Sequence, residues 1–163
     1  MNTIILIMAT LSSGLIAGLF YAWSISVTPG LAKVSDENYL HAFQSMNRAI
    51  LNPALFIFFF GLVILLPMLC YLSYKSPGSS VFWLILPATI FYLVGTMAVT
   101  ILGNIPLNNA LEALKIDSMT FEHMASFRLG FENKWNTLNM IRTICSSLSF
   151  LLLIMTCLQN ANK

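Results

Sequence analysis

Four runs of this chain contain no charged side chain: Met1 to Ala32, Ala49 to Tyr74, Ser76 to Leu111 and Thr143 to Asn162. A hydrocarbon core about 30 Å thick takes about 20 apolar helical residues to cross, and a tilted barrel strand needs only about 9–11. Each run is therefore long enough for a helical span and too long for a strand. Lipid offers backbone groups no partners, so a helix that satisfies its own is the economical solution. The pattern predicts spans at 4–26, 53–74, 81–103 and 137–158. Composition agrees, with 58% hydrophobic and 9% charged residues against about 25% charged in an average soluble domain. Too few ions remain to coat a water-facing surface or to keep a chain disordered. A net charge of +2 is too small for a nucleic-acid footprint. The expected fold is all-α, a four-transmembrane-helix antiparallel bundle forming one membrane domain over residues 1–163, with the lipid bilayer as first partner.

The links are unequal. Lys75-Ser-Pro-Gly-Ser-Ser80 is short and rich in turn formers, which makes the second and third spans antiparallel neighbours. Residues 29–52 and 103–136 carry all six acidic residues and five of the eight basic ones. Both long links fall on one side, so that side is a polar cap built from short amphipathic helices. Ser35-Asp36-Glu37 starts one, with Tyr39, Leu40, Phe43, Met46 and Ile50 at helical spacing, and Thr120 to Phe131 reads as another. The first run has no preceding Lys or Arg and no A-x-A-like cleavage site, so it is expected to remain as a helix. Lys75 and Lys163 stand unopposed on the other side, which favours cytoplasmic termini. Cys70, Cys145 and Cys157 have neither disulfide nor zinc spacing and read as small apolar residues.

Polar residues in the spans mark the place for chemistry. Thr89, Tyr92, Thr96, Thr100, Asn104 and Asn108 recur every three or four residues on one helix face. A similar row of small and hydroxylated residues, Thr10, Gly14, Ala17, Tyr21, Ser24 and Thr28, reads as a helix-packing face. Glu132, Trp135, Asn139 and Arg142 form a further stripe, putting a carboxylate, an indole, an amide and a guanidinium at the membrane surface. A charge facing mid-membrane lipid costs roughly 2.5–3.5 kcal/mol or more, so Arg142 is expected to point inward or to snorkel to the cap. Asn52 and Pro53 read as the cap and first residue of a helix, while Asn47 and Arg48 have no such structural explanation. Gly103-Asn-Ile-Pro-Leu-Asn108 reads as a helix break at membrane depth, tolerated where protein or a cavity covers it.

Asn47-Arg-Ala-Ile-Leu-Asn52-Pro53, Gly103-Asn-Ile-Pro-Leu-Asn108 and Trp135-Asn-Thr-Leu-Asn139-Met-Ile-Arg142, set among four apolar spans, resemble the anthrone oxygenase-like family, DUF1772. Phe20-Tyr-Ala-Trp-Ser-Ile-Ser-Val-Thr-Pro-Gly30 is similar to its bacterial branch, which implies a multi-pass protein of the bacterial inner (plasma) membrane. Fungal members are implicated in oxidising anthrones to anthraquinones, and the elements shared with them are Pro106-x-Asn108 and Trp135-x-x-x-Asn139-x-x-Arg142. The resemblance implies an oxidoreductase acting on a hydrophobic aromatic or quinone-like molecule.

Such chemistry needs a base, donors for a phenolate-like oxygen and a dry site. Arg142, Asn108 and Asn139 suit the donor role, and Trp135 with Tyr21 or Tyr92 suits ring stacking. Asn104, Asn47 and Arg48 are further candidates for contact with the ligand. Glu132 and His123 are candidate bases by chemistry alone. A metal finds little here: His41 and His123, with Glu132 or Glu122, make at best a facial site, and exposed cap residues are the plainer reading. The sequence has no nucleotide, haem or G-x-S-x-G motif, which leaves the cofactor unknown and cofactor-independent or quinone-type chemistry open. Two other readings stand beside the enzyme: a non-catalytic binder or transporter of an amphipathic molecule, and a membrane assembly subunit. Self-association as a homo-oligomer is open in each.

Overall fold

The computed structural model describes residues 3–75 and 80–161. They form five helices: α1 (Thr3–Leu31), α2 (Asp36–Ile50), α3 (Pro53–Tyr74), α4 (Phe82–Glu112) and α5 (Phe121–Ala161). No strand occurs among the described residues. Helices α1, α3, α4 and α5 are long and apolar enough to cross a membrane, so the chain is a multi-pass helical membrane protein. The Pro, Gly and Ser residues expected to turn between α3 and α4, residues 76–79, lie outside the described residues.

Local chemistry sets the helix starts. Ser35 Oγ accepts the Asn38 N–H at 3.4 Å to begin α2, and Asn52 Oδ1 accepts the Leu55 N–H at 3.1 Å to begin α3. Pro53 opens α3, where its missing N–H costs nothing. The four long helices make a four-sided bundle, with α1 and α4 each flanked by α3 and α5. Leu6, Ile16, Leu62, Leu66, Ile85 and Leu153 fill its interior. Outside, Ile57, Ile64 and Leu102 are exposed apolar side chains, as contact with a bilayer requires. Hydroxyls tie the helices together: Ser149 Oγ donates to Ala88 O at 2.9 Å, and Ser24 Oγ meets Thr143 Oγ1 at 2.9 Å. At Gly95 the α4 backbone lies so near α5 that an added Cβ would overlap Cys145.

Two expectations need correction. Residues 103–108 do not break the helix, because α4 absorbs Pro106 by widening its turns. The Ile105 N–H reaches five residues back to Thr100 O, which re-pairs the ladder just before the residue that has no donor. The same device precedes Pro29 in α1, where the Thr28 N–H bonds Trp23 O. Wide turns also suit a row repeating every four residues, and Thr89, Tyr92, Thr96 and Asn104 are all buried. Secondly, Thr120 to Phe131 is not a separate cap helix. No proline interrupts it, so it is the start of the 41-residue α5, about 60 Å long at 1.5 Å per residue, of which roughly half projects beyond the hydrocarbon.

The cap is therefore α2 resting on the projecting ends of α4 and α5. Tyr39, Leu40 and Phe43 pack against Leu111, Phe131 and Trp135, and Gln44 Nε2 donates to Leu111 O at 2.8 Å.

Candidate functional site

Beneath the cap, between the four long helices, lies a cavity of about 130 Å³. An engineered apolar cavity of about 150 Å³ holds benzene, so this space admits about one aromatic ring. Phe20 and Trp23 from α1, Phe59 from α3 and Trp135 from α5 give it aromatic walls, and Asn47, Thr100, Asn108, Asn139 and Arg142 bring polar atoms to it. No carboxylate or histidine is among the lining residues.

Arg142 is the centre of this arrangement. It is 5% exposed, and its guanidinium carbon lies 4.4 Å from the Phe20 ring centroid and 5.2 Å from that of Trp135. Its Nη2 donates to Asn139 Oδ1 at 2.9 Å and its Nη1 to Thr100 Oγ1 at 3.5 Å. Nε has no partner. Ring faces and neutral oxygens attract a cation, but neither neutralises it, so a full positive charge is held out of water with no counter-ion among the described residues. Burying an ion costs several kcal/mol, recovered only when a partner of opposite charge completes it.

Neighbouring amides are committed in a way that leaves donors over. Asn139 Nδ2 donates to Ser24 Oγ at 2.8 Å and to Phe20 O at 3.4 Å, which fixes its oxygen toward Arg142. Trp135 Nε1 donates to Asn108 Oδ1 at 2.8 Å, occupying that carbonyl while its amide hydrogens stay unspent. Asn47 Nδ2 is buried with no partner. The unspent polar capacity at the cavity thus includes N–H groups beside a positive charge, complementary to an oxygen that carries negative charge.

Of the residues singled out by sequence, the structure brings six together here: Asn47, Thr100, Asn108, Trp135, Asn139 and Arg142. The others lie elsewhere. Tyr21 is 54% exposed on the outer face of α1, the inward position being taken by Phe20. Tyr92 is fully buried and donates its hydroxyl to Phe59 O at 2.7 Å. Asn104 is buried with both amide atoms unpartnered and does not line the cavity. Arg48 pairs with Glu112 at 2.7 Å on the surface. His41 pairs with Asp117 at 3.2 Å and His123 is exposed. Among the described residues no three His, Cys, Asp or Glu side chains gather as a metal site would need.

Glu132 is also outside the cavity, because Arg128 holds it. Arg128 Nε donates to Glu132 Oε2 at 2.9 Å and Nη1 to Asp36 Oδ1 at 2.8 Å. The same guanidinium donates to the carbonyls of Val34 and Ala32 and lies 4.4 Å over the Tyr39 ring. Burial works against its charge, but the bonds to Glu132 and Asp36 outweigh burial and hold its pKa above the ordinary value. Sequence reasoning missed this clamp, as it missed Phe20 and Trp23 in the cavity wall. Pro29, just after the wide turn that begins at Trp23, was the available signal.

Fold and site together define a class: a multi-pass helical membrane protein with a cationic, aromatic-walled cavity under its cap. A family model described as anthrone oxygenase matches residues 53–152, 100 of the 163 residues, and the chain belongs to that family. The matched segment contains Asn108, Trp135, Asn139 and Arg142. No curated protein matches, and no solved structure does.

Proposed function

We propose that this protein is a membrane oxidoreductase of the anthrone oxygenase kind, residing in a bacterial inner membrane. It binds a planar hydroxylated aromatic in the cavity and presents the ionised form to dioxygen. The observation that carries this reading is the buried Arg142 guanidinium, which has neutral partners only and one N–H unspent. An anthrone-type methylene becomes reactive toward dioxygen once a proton has left and its charge has spread onto the ring oxygen. Arg142 stabilises that oxygen, Asn139 positions the guanidinium, and Asn108 and Asn47 offer further donors. The rings of Trp135, Phe20 and Trp23 hold the substrate and exclude water. No carboxylate or histidine lines the cavity; the cationic wall supplies the bias toward ionisation, and the proton ends on the oxygen that leaves as water. In the overall change the CH₂ carbon gains one oxygen atom as a carbonyl, and its two hydrogens leave with the second oxygen as water.

The test is oxygen uptake and quinone formation from an anthrone by the purified protein, compared with Arg142→Met. Parent turnover, with loss of both binding and turnover in a folded variant, supports the reading. Equal activity in the two contradicts it. Binding that depends on Arg142 without any oxygen uptake would make the protein a carrier of the same class of molecule.

A further inference from the structure

We infer that the cavity opens sideways into the bilayer, between α3 and α4, and is loaded from lipid instead of from water. The helices that flank the gap make their close contacts along Phe82–Ile90 of α4. Toward the cap they are tied by the hydrogen bond from the Tyr92 hydroxyl to Phe59 O at 2.7 Å. Past that point α3 and α4 face each other across the cavity, and the rim residues are apolar and open: Leu51 is 66% exposed, Phe56 39%, Phe60 49% and Ile105 42%. A rim of this composition suits hydrocarbon and offers a water-soluble solute nothing.

The alternative route, through the cap, is shut. Phe43 has no exposed surface, and its ring lies 4.9 Å from Trp135 and 5.5 Å from Trp23, which are themselves 5.1 Å apart. These three rings roof the cavity. At the edge of the roof the Arg48–Glu112 ion pair joins α2 to the end of α4, so the gap is bounded by that pair above and by the Tyr92 bond below. Size gives the same answer. The cavity takes about one ring, so a molecule of three fused rings with its oxygen against Arg142 extends outward through the gap. The substrate class is thus a flat aromatic that partitions into membranes, its hydrogen-bonding oxygen at the leading end.

This rests on the cavity being the substrate site, but access can be measured without any substrate. Of the three tryptophans, Trp83 is a surface residue at 72% exposure and Trp135 is 4% exposed. The doubly substituted protein Trp23→Phe, Trp83→Phe therefore reports on the cavity wall alone. Reconstituted in phosphatidylcholine brominated on the shallow part of the acyl chain, it should lose Trp135 emission relative to unbrominated lipid, and aqueous iodide should leave that emission unchanged. Quenching by iodide instead, or by neither agent, overturns the lateral opening. Trp83→Phe alone, read in the same way, serves if the double variant does not keep its helical signal. Should lipid quench Trp135 while Arg142→Met binds and turns over like the parent, the opening stands and the proposed chemistry fails. The converse pattern leaves the chemistry and removes the opening.

Discussion

Arg128 and Arg142 lie on the same helix, fourteen residues and about 21 Å apart along its axis, and they are treated in opposite ways. Arg128 has two carboxylates and several carbonyls around it. Arg142, more deeply buried, has an amide oxygen, a hydroxyl and two rings. One charge is closed and the other open. A closed charge binds the protein's own segments: Arg128 fastens the end of α1, the start of α2 and the projecting part of α5. An open charge in a cavity wall is a structural cost that an anionic guest removes.

The largest expected effect breaks the closed member. Arg128→Met leaves Glu132 and Asp36 without their partner, with side chains 19% and 41% exposed. Losing one partner of a buried pair costs 3–5 kcal/mol, and partial exposure of the acids points to the lower end, about 3 kcal/mol. Thermal or denaturant unfolding in detergent should register it.

Arg142→Met tests the open member and should behave in the reverse manner. The unfolding temperature stays or rises, because an unpaired buried charge is replaced by an apolar chain of similar length. Affinity for a phenolate-type ligand falls roughly 10- to 100-fold, the equivalent of one charged hydrogen bond at about 1.5–3 kcal/mol, measurable by titration calorimetry.

Asn139→Ala sharpens the comparison, since Asn139 serves both structure and site. Loss of its bonds to Ser24 and Phe20 O should cost about 1–2 kcal/mol of stability and, through a misplaced Arg142, roughly tenfold in affinity. Smallest of all is Glu112→Gln. Its partner Arg48 is 64% exposed, and such surface pairs contribute about 0.2–1 kcal/mol, an effect that added salt should erase.

Much of this was legible in the sequence, for identifiable reasons. Charge-free runs locate the spans because lipid tolerates so little else, and Asn52-Pro53 marks the start of α3 because cap and first-turn chemistry is local. The stripe Trp135, Asn139, Arg142 converges on the cavity because one straight helix carries it. Legibility fails where side chains from different elements decide the outcome. Glu132 shares that helix's periodicity, yet Arg128, which also holds Asp36, draws it into the cap. Tyr21 shares a row with Ala17 and Ser24, but Phe20 takes the inward place. Pro106 resembles a break because the wide turn that accommodates it depends on hydrogen bonds no residue pattern displays.

The central claim, that Arg142 is held open for a negatively charged oxygen, has a direct optical test. A hydroxyanthraquinone dye changes colour when its phenol ionises, and a cation within about 4–6 Å lowers such a pKa by about 1–3 units. At a pH below the dye's own pKa, the parent protein should turn the bound dye to its phenolate colour, and Arg142→Met, at a concentration that restores binding, should leave it neutral. The same dye pKa in both proteins would contradict the account.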